Sequence, residues 1–107
     1  MFTFDELGAA EKIVRAALPP TPAISWPLIS SRLGATAIVK HENHNPTGAF
    51  KVRGGLTFVD ALRWRKPDAR GLVSATRGNH GQSLAYAGAR AGLEIGNVID
   101  EKGKMLV

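Results

Sequence analysis

Two polar segments of the sequence carry side chains that could do chemistry. The first, residues 41–51, ends at Lys51, and the second, residues 76–80, contains Asn79 and His80. Each follows a run typical of a strand and precedes a pattern typical of a helix. In open α/β sheets, ligands collect at the carboxyl ends of strands, where helix N-termini direct free amides. The spacing therefore predicts that both segments lie where such folds bind ligands.

Lys51 falls in the first turn of a predicted helix that spans about residues 49–65. The positive end of a helix dipole disfavours another cation, and a lysine that acts as an amine nucleophile benefits from being less readily protonated. The same position also suits a lysine whose stem covers apolar surface while its ammonium stays in water. From spacing alone, both interpretations of Lys51 stay open.

The elements around these segments alternate between helices and strands. Thr3 and Glu6 have capping-box spacing at the start of a helix that Pro19 and Pro20 end. The elements predicted after it are, in chain order, helical turns over 28–33, a strand over 35–40, a helix over 49–65, a strand over 71–75 and a helix over 81–90. This order is typical of α/β folds, so the sequence predicts an open parallel sheet flanked by helices.

Composition excludes several classes of protein and site. The chain has 107 residues, no cysteine and a formal net charge of +5. Disulfides and thiolate metal sites are therefore excluded, and the scattered cations favour a solvated surface over a nucleic-acid patch. No apolar run could span a membrane, and the N-terminus is not typical of a secretory signal, so we expect a cytoplasmic protein. His41, Glu42 and His44 match no standard metal site, and no metal is predicted.

The two segments resemble the motifs of a known family. Residues 45–54, Asn-Pro-Thr-Gly-Ala-Phe-Lys-Val-Arg-Gly, are similar to the lysine motif of fold-type II pyridoxal-phosphate enzymes. Residues 74–82, Ser-Ala-Thr-Arg-Gly-Asn-His-Gly-Gln, resemble their second motif, usually Ser-x-Gly-Asn-His. Further family-like positions are Thr21-Pro22, residues 30–34 and Lys40-x-Glu42. The resemblance covers roughly residues 4–93 and is closest to threonine and serine dehydratases (ammonia-lyases); cysteine synthases, threonine synthases and serine racemases share the fold.

The resemblance implies a role for each matching residue. Lys51 would bind pyridoxal 5'-phosphate as a Schiff base and move protons at the substrate α-carbon, with Phe50 beside the pyridine ring. Asn79 would hydrogen-bond the phenolic oxygen of the cofactor. The residues that would receive the substrate carboxylate are Thr76, Gly78, Asn79 and His80. Without the family, Phe50 could be a core residue, Asn79 a turn residue and His80 an ordinary helix-start residue.

The implied reaction is that of an amino-acid dehydratase. Such an enzyme converts threonine or serine to a 2-oxo acid and ammonia, with pyridoxal phosphate delocalising the charge left at the α-carbon. The expected partner is thus a small amino acid, with no nucleic acid and no membrane, and a homo-oligomer is possible. The alternative is a truncated, non-catalytic remnant that associates with another subunit.

The sequence departs from the family pattern in several places. Ala49 stands where the family often has serine, and Arg77, in place of a small residue, either contacts an acidic substrate group or faces solvent. Gly54-Gly55 falls inside a predicted helix, so no glycine-rich loop is identified for the cofactor phosphate. We therefore expect residues 1–93 to be the N-terminal portion of an incomplete enzyme domain that turns over poorly by itself. The tail, residues 94–107, shows no resemblance and is predicted to form strands over 95–99 and 105–107 around a turn at 101–104.

Overall fold

The structure is a computed structural model that describes residues 1–76, 78–99 and 104–106.

The chain starts with helix α1 (Phe4–Ala17), and local signals set both of its ends. Thr3 Oγ1 accepts the amide hydrogen of Glu6 at 3.2 Å, and the carboxylate of Glu6 accepts the amide hydrogen of Thr3 at 2.7 Å. The predicted capping box is thus confirmed. The helix ends before Pro19, and it buries Val14 against the rest of the chain.

A small antiparallel unit follows α1. It consists of β1 (Ala23–Ser25), α2 (Pro27–Leu33) and β2 (Ile38–Lys40). Gly34 ends α2 in the left-handed region, with φ 64°, where a residue without a Cβ is favoured. The chain then returns beside β1, so that β2 pairs with β1 and, among the residues that the structure describes, with no later strand. The strand predicted over 35–40 is therefore shorter than expected, and it is not part of the sheet that the later strands form.

The second half of the chain is an α/β unit. Its elements are α3 (Lys51–Arg65), β3 (Gly71–Ala75), α4 (Asn79–Ala91), β4 (Glu94–Ile99) and β5 (Lys104–Leu106). The sheet has the order β3-β4-β5, with β3 and β4 parallel and β5 antiparallel to β4. The predicted α/β class is confirmed, with a parallel pair extended by one antiparallel strand.

The two later helices begin at other residues than predicted. Gly48, with φ 67°, donates its amide hydrogen to the Asn45 carbonyl at 2.8 Å and forms a turn, so α3 starts at Lys51. Helix α4 starts two residues earlier than predicted, at Asn79. As a result, a predicted site residue is the first residue of each of these helices.

Close packing of α3 against α4 forms the centre of the fold. A Cβ on Gly55 would lie 2.6 Å from the backbone oxygen of Ser83, so only glycine permits this approach of the two helices. Ser83 is itself almost fully buried. The buried apolar cluster next to this contact joins α1, α3 and α4 with the residue after α1 and the residue before β4. It consists of Val14, Leu18, Val52, Leu56, Val59, Ala87 and Leu93.

The C-terminal strands agree with the two predicted from the sequence, because β4 and β5 occupy nearly the expected residues. Of the predicted turn at 101–104, only Lys104 is among the described residues. Arg77 and Val107 also lie outside the described residues. In the part of the chain that is described, no helix is both long and apolar enough to cross a membrane.

Candidate active site

Two adjoining cavities open beside the first residues of α3 and α4. The polar one has a volume of about 560 Å³, and its lining is Lys51, Ala75, Thr76, Gly78, Asn79 and His80. The other has a volume of about 500 Å³ and is mainly apolar, with Phe50, Phe58, Leu72, Val73 and Leu84 among its lining residues. Lys51 and His80 line both cavities, so the two meet at these side chains.

The structure brings all of the sequence-predicted site residues to these cavities. Lys51, Thr76, Gly78, Asn79 and His80 line the polar cavity. Phe50 lines the apolar cavity and is 61% exposed, so it is not a core residue within this chain. The residues lie together, and the chemical roles given to them remain predictions.

Lys51 is exposed at the first position of α3. Phe50, the residue before the helix, makes no side-chain cap to the backbone of α3. The first amides of a helix have no partner within the helix and carry its positive end. Lys51 therefore presents a primary amine at the edge of a cavity where an electron-poor carbonyl carbon and an anionic group could both be held.

Thr76 caps helix α4 from outside it. Its Oγ1 accepts the amide hydrogens of Gly78 at 3.2 Å and of Gly81 at 2.9 Å. A hydroxyl oxygen has two lone pairs, so any further hydrogen bond of Thr76 Oγ1 is made as a donor. The backbone amides of Asn79 and His80 are the first two of α4. They have no acceptor within the helix and point out of its N-terminal end. This end of α4 thus offers several donors to an anion.

The sequence interpretation gave no role to a polar network that lies behind Lys51. Arg53 donates from Nε to Glu42 Oε2 at 2.7 Å and from Nη2 to Oε1 at 3.0 Å. These bonds, opposed by partial desolvation, lower the pKa of Glu42 to about 2, and Glu42 raises the pKa of Arg53. Lys40-x-Glu42 and Arg53 lie at family-like positions, and this was the only sequence signal for the pair.

The histidines near Glu42 are also engaged with neighbours. Trp26 donates from Nε1 to Nε2 of His41 at 3.0 Å, and the His41 and His44 rings meet edge to face. Within the described ranges, no three His, Cys, Asp or Glu side chains are grouped so that they could hold a metal ion.

Comparison with known proteins gives a family for this site. Residues 14–104 match the model of the family described as "Pyridoxal-phosphate dependent enzyme". The chain belongs to this family. The cofactor of this family is pyridoxal 5'-phosphate, as the resemblance of the two motifs implied. The matched range includes all of the residues that line the two cavities.

Members of the family that resemble this chain carry out different reactions. L-threonine dehydratase biosynthetic IlvA of Escherichia coli (strain K12) is 35% identical over 74 residues, which are 69% of this chain and 14% of that enzyme. Human serine racemase is 34% identical over 96 residues, which are 85% of this chain and 27% of the racemase. The crystal structure of a pyridoxal 5'-phosphate-dependent aspartate racemase superposes with a TM-score of 0.86 at 30% identity and covers 95% of this chain.

The chain spans about a third or less of the length of these relatives, with 32% of the aspartate racemase covered. The residues present fit part of the cofactor. The aldehyde of the cofactor would require a primary amine, which Lys51 has, and the start of α4 at Asn79 would offer hydrogen-bond donors. The adjacent glycines 54 and 55 lie within α3 and not in a loop that could surround a phosphate.

Proposed function

We propose that Lys51 binds pyridoxal 5'-phosphate covalently and that this chain forms the lysine side of an amino-acid dehydratase site. The observation that carries the proposal is that Lys51, at the start of α3, and Asn79, at the start of α4, line one cavity. The family match and the similarity to a threonine dehydratase support it. The substrate class is a small 2-amino-3-hydroxy acid such as threonine or serine.

The cofactor, when bound, supplies an electron sink for the charge left at the substrate α-carbon. Lys51 Nζ would hold the cofactor before the substrate arrives, and its amine, once displaced by the amino group of the substrate, would accept the α-proton. That proton would leave with the β-hydroxyl as water. Uptake of one water and release of the amino group as ammonia then give the 2-oxo acid, so that atoms balance without an oxidant.

The start of α4 is the proposed carboxylate site. The hydroxyl of Thr76 and the amides of Asn79 and His80 donate to the substrate carboxylate, and the helix dipole favours its negative charge. The amide of Gly78 already donates to Thr76, so in this proposal Gly78 shapes the turn and orients the Thr76 hydroxyl. The Asn79 side chain contacts the phenolic oxygen of the cofactor, and Phe50 covers one face of its ring.

Covalent binding is tested without any turnover. Purified chain is mixed with pyridoxal 5'-phosphate, the visible band of a protonated Schiff base is recorded, and borohydride reduction fixes the adduct for peptide mass mapping. We expect the band and the adduct at Lys51 in the wild type and in Lys12→Ala, a matched surface lysine, and neither in Lys51→Arg, which keeps the charge. An adduct spread evenly over all lysines would contradict the proposal.

The reaction is tested by product. Threonine and serine are each supplied with the cofactor, and 2-oxo acid, ammonia and the D-amino acid are measured separately. The dehydratase proposal expects 2-oxo acid and ammonia in equal amounts, abolished in Lys51→Arg. Accumulation of the D-amino acid alone would assign the site to a racemase, the activity named for two of the relatives above.

The second candidate is a subunit-association function, and the edge of the sheet favours it. Strand β3 has a strand partner on one side only within the described residues, and Val73 on it is 71% exposed. Such an edge can pair with another chain. In this candidate the chain associates with a copy of itself and has no catalytic role.

A further inference from the structure

The carboxylate of Glu42 contacts residues on both sides of Lys51. On the C-terminal side, Arg53 binds both of its oxygens, at 2.7 and 3.0 Å. On the N-terminal side, Asn45 donates from Nδ2 to Glu42 Oε2 at 2.9 Å and to the Ala49 carbonyl at 3.2 Å. Asn45 is buried, with 6% of its surface exposed, so these bonds are shielded from water.

The second oxygen of Glu42 is fixed from behind. Thr21, which is 7% exposed, donates from Oγ1 to Glu42 Oε1 at 2.6 Å. Lys40 in turn donates from Nζ to Thr21 Oγ1 at 2.8 Å and to the Thr21 carbonyl at 3.2 Å. Each oxygen of Glu42 therefore accepts two hydrogen bonds, which is close to the full capacity of a carboxylate. A carboxylate with four partners has little freedom to rotate.

This arrangement constrains the backbone from Ala49 to Arg53 more than a single ion pair would. The constrained segment includes the end of the Gly48 turn and the first residues of α3. Lys51 lies in its middle and makes no bond to the network itself. The network thus holds the backbone on both sides of Lys51, and Lys51 itself lines the two cavities.

We infer that Glu42 is a positioning residue for the Lys51 amine, acting through Arg53 on one side and through Asn45 on the other. The inference rests on the proposed function, since it assumes that Lys51 is the reactive lysine. Glu42 touches neither cavity, so it takes no part in the chemical step.

The experiment measures where pyridoxal 5'-phosphate reacts within one chain. A limiting amount of cofactor is added, borohydride traps the adducts, and mass spectrometry gives the ratio of adduct at Lys51 to adduct at Lys12, an exposed lysine of α1. Circular dichroism establishes that each variant is folded. We expect a ratio well above one in the wild type and a loss of about tenfold in Glu42→Gln, because misplacing a reactive group by about 1 Å is enough for such losses.

Lys40→Gln is the matched control. Lys40 Nζ lies 3.6 Å from Glu42 Oε1, but both of its hydrogen bonds go to Thr21, so the substitution removes a charge of the same network and leaves the four hydrogen bonds of Glu42 in place. It should keep the wild-type ratio. Arg53→Lys keeps the charge but loses the two-point bond, and it should give an intermediate ratio. If Glu42→Gln does not fold, Arg53→Lys decides: a lowered ratio supports the inference, and an unchanged ratio overturns it.

A folded Glu42→Gln with the wild-type ratio would overturn the inference, and so would a loss in Lys40→Gln as large as that in Glu42→Gln. Neither result would affect the proposed function, because Lys51 would still be the preferred site in the wild type. A wild-type ratio near one is the distinct outcome in which the proposed function fails, and the inference about Glu42 fails with it.

Discussion

At the scale of single residues, Glu42 makes stability depend on pH. Its pKa is lowered from 4.5 to about 2 in the folded chain, mainly by the hydrogen bonds from Arg53. A group with a lowered folded pKa stabilises the protein above its unfolded pKa, and that contribution is lost as the pH falls through the folded value. The shift corresponds to up to about 3 kcal/mol, which disappears between about pH 4.5 and pH 2.

We therefore expect Glu42→Gln to be less stable than the wild type at pH 7 and to approach it as the pH falls toward 2. Urea unfolding at several pH values measures the difference. Glu11→Gln is the control, since Glu11 forms an exposed pair with Arg15 at 3.5 Å and the effect of its loss should be small at every pH. A constant difference between wild type and Glu42→Gln across this range would contradict the assignment.

Thr76 gives a second prediction at this scale. Thr76→Ala removes the acceptor for the amides of Gly78 and Gly81 and should cost about 1 kcal/mol in the free energy of unfolding, as loss of a helix cap does. Thr76→Ser keeps the hydroxyl and should remain within a few tenths of a kcal/mol of the wild type. Chemical denaturation separates the two variants; equal losses in both would argue against capping by the hydroxyl.

At the scale of elements, the contact between α3 and α4 explains why two adjacent glycines differ. A Cβ at position 55 meets the Ser83 backbone, whereas one at position 54 meets nothing within 4 Å. We expect Gly55→Ala to destabilise the chain by about 1 to 3 kcal/mol through overpacking. Gly54→Ala should stabilise it by up to about 1 kcal/mol through helix propensity. Thermal unfolding of both variants is the measurement, and shifts of the same sign would contradict this account.

Local signals predicted the elements better than their pairing. Thr3 with Glu6 and the prolines after residue 18 mark the ends of α1, and each of these signals acts within a few residues. The pairing of Ala23 with Lys40 joins strands whose partners no local pattern specifies, so β2 was expected in the parallel sheet. The residues of the family motifs line the two cavities. The bonds of Glu42 depend on how the chain folds back and were not predicted.

At the scale of the whole molecule, β3 is an edge strand, because in the described part of the chain it pairs with β4 alone. Val73 on the edge strand β3 is 71% exposed, beside an apolar cavity. We expect concentration-dependent self-association that Val73→Lys reduces, because charge on an edge strand disfavours pairing with another chain. Sedimentation over a range of concentrations measures this. Leu33→Lys, on α2 and 67% exposed, is the matched control; a larger effect there would assign the association to α2.

The close contact between Gly55 and Ser83 has a geometric consequence. Gly55 lies four residues after Lys51, and Ser83 lies four residues after Asn79, so the contact is about 6 Å along each helix from the residue that faces the cavity. Each helix thus extends only a short distance from this fixed contact to its first residue. Rotating one helix by ten degrees about it displaces that helix's first residue by about 1 Å. The width of the polar cavity is thus set by the volume of two residues that do not line it.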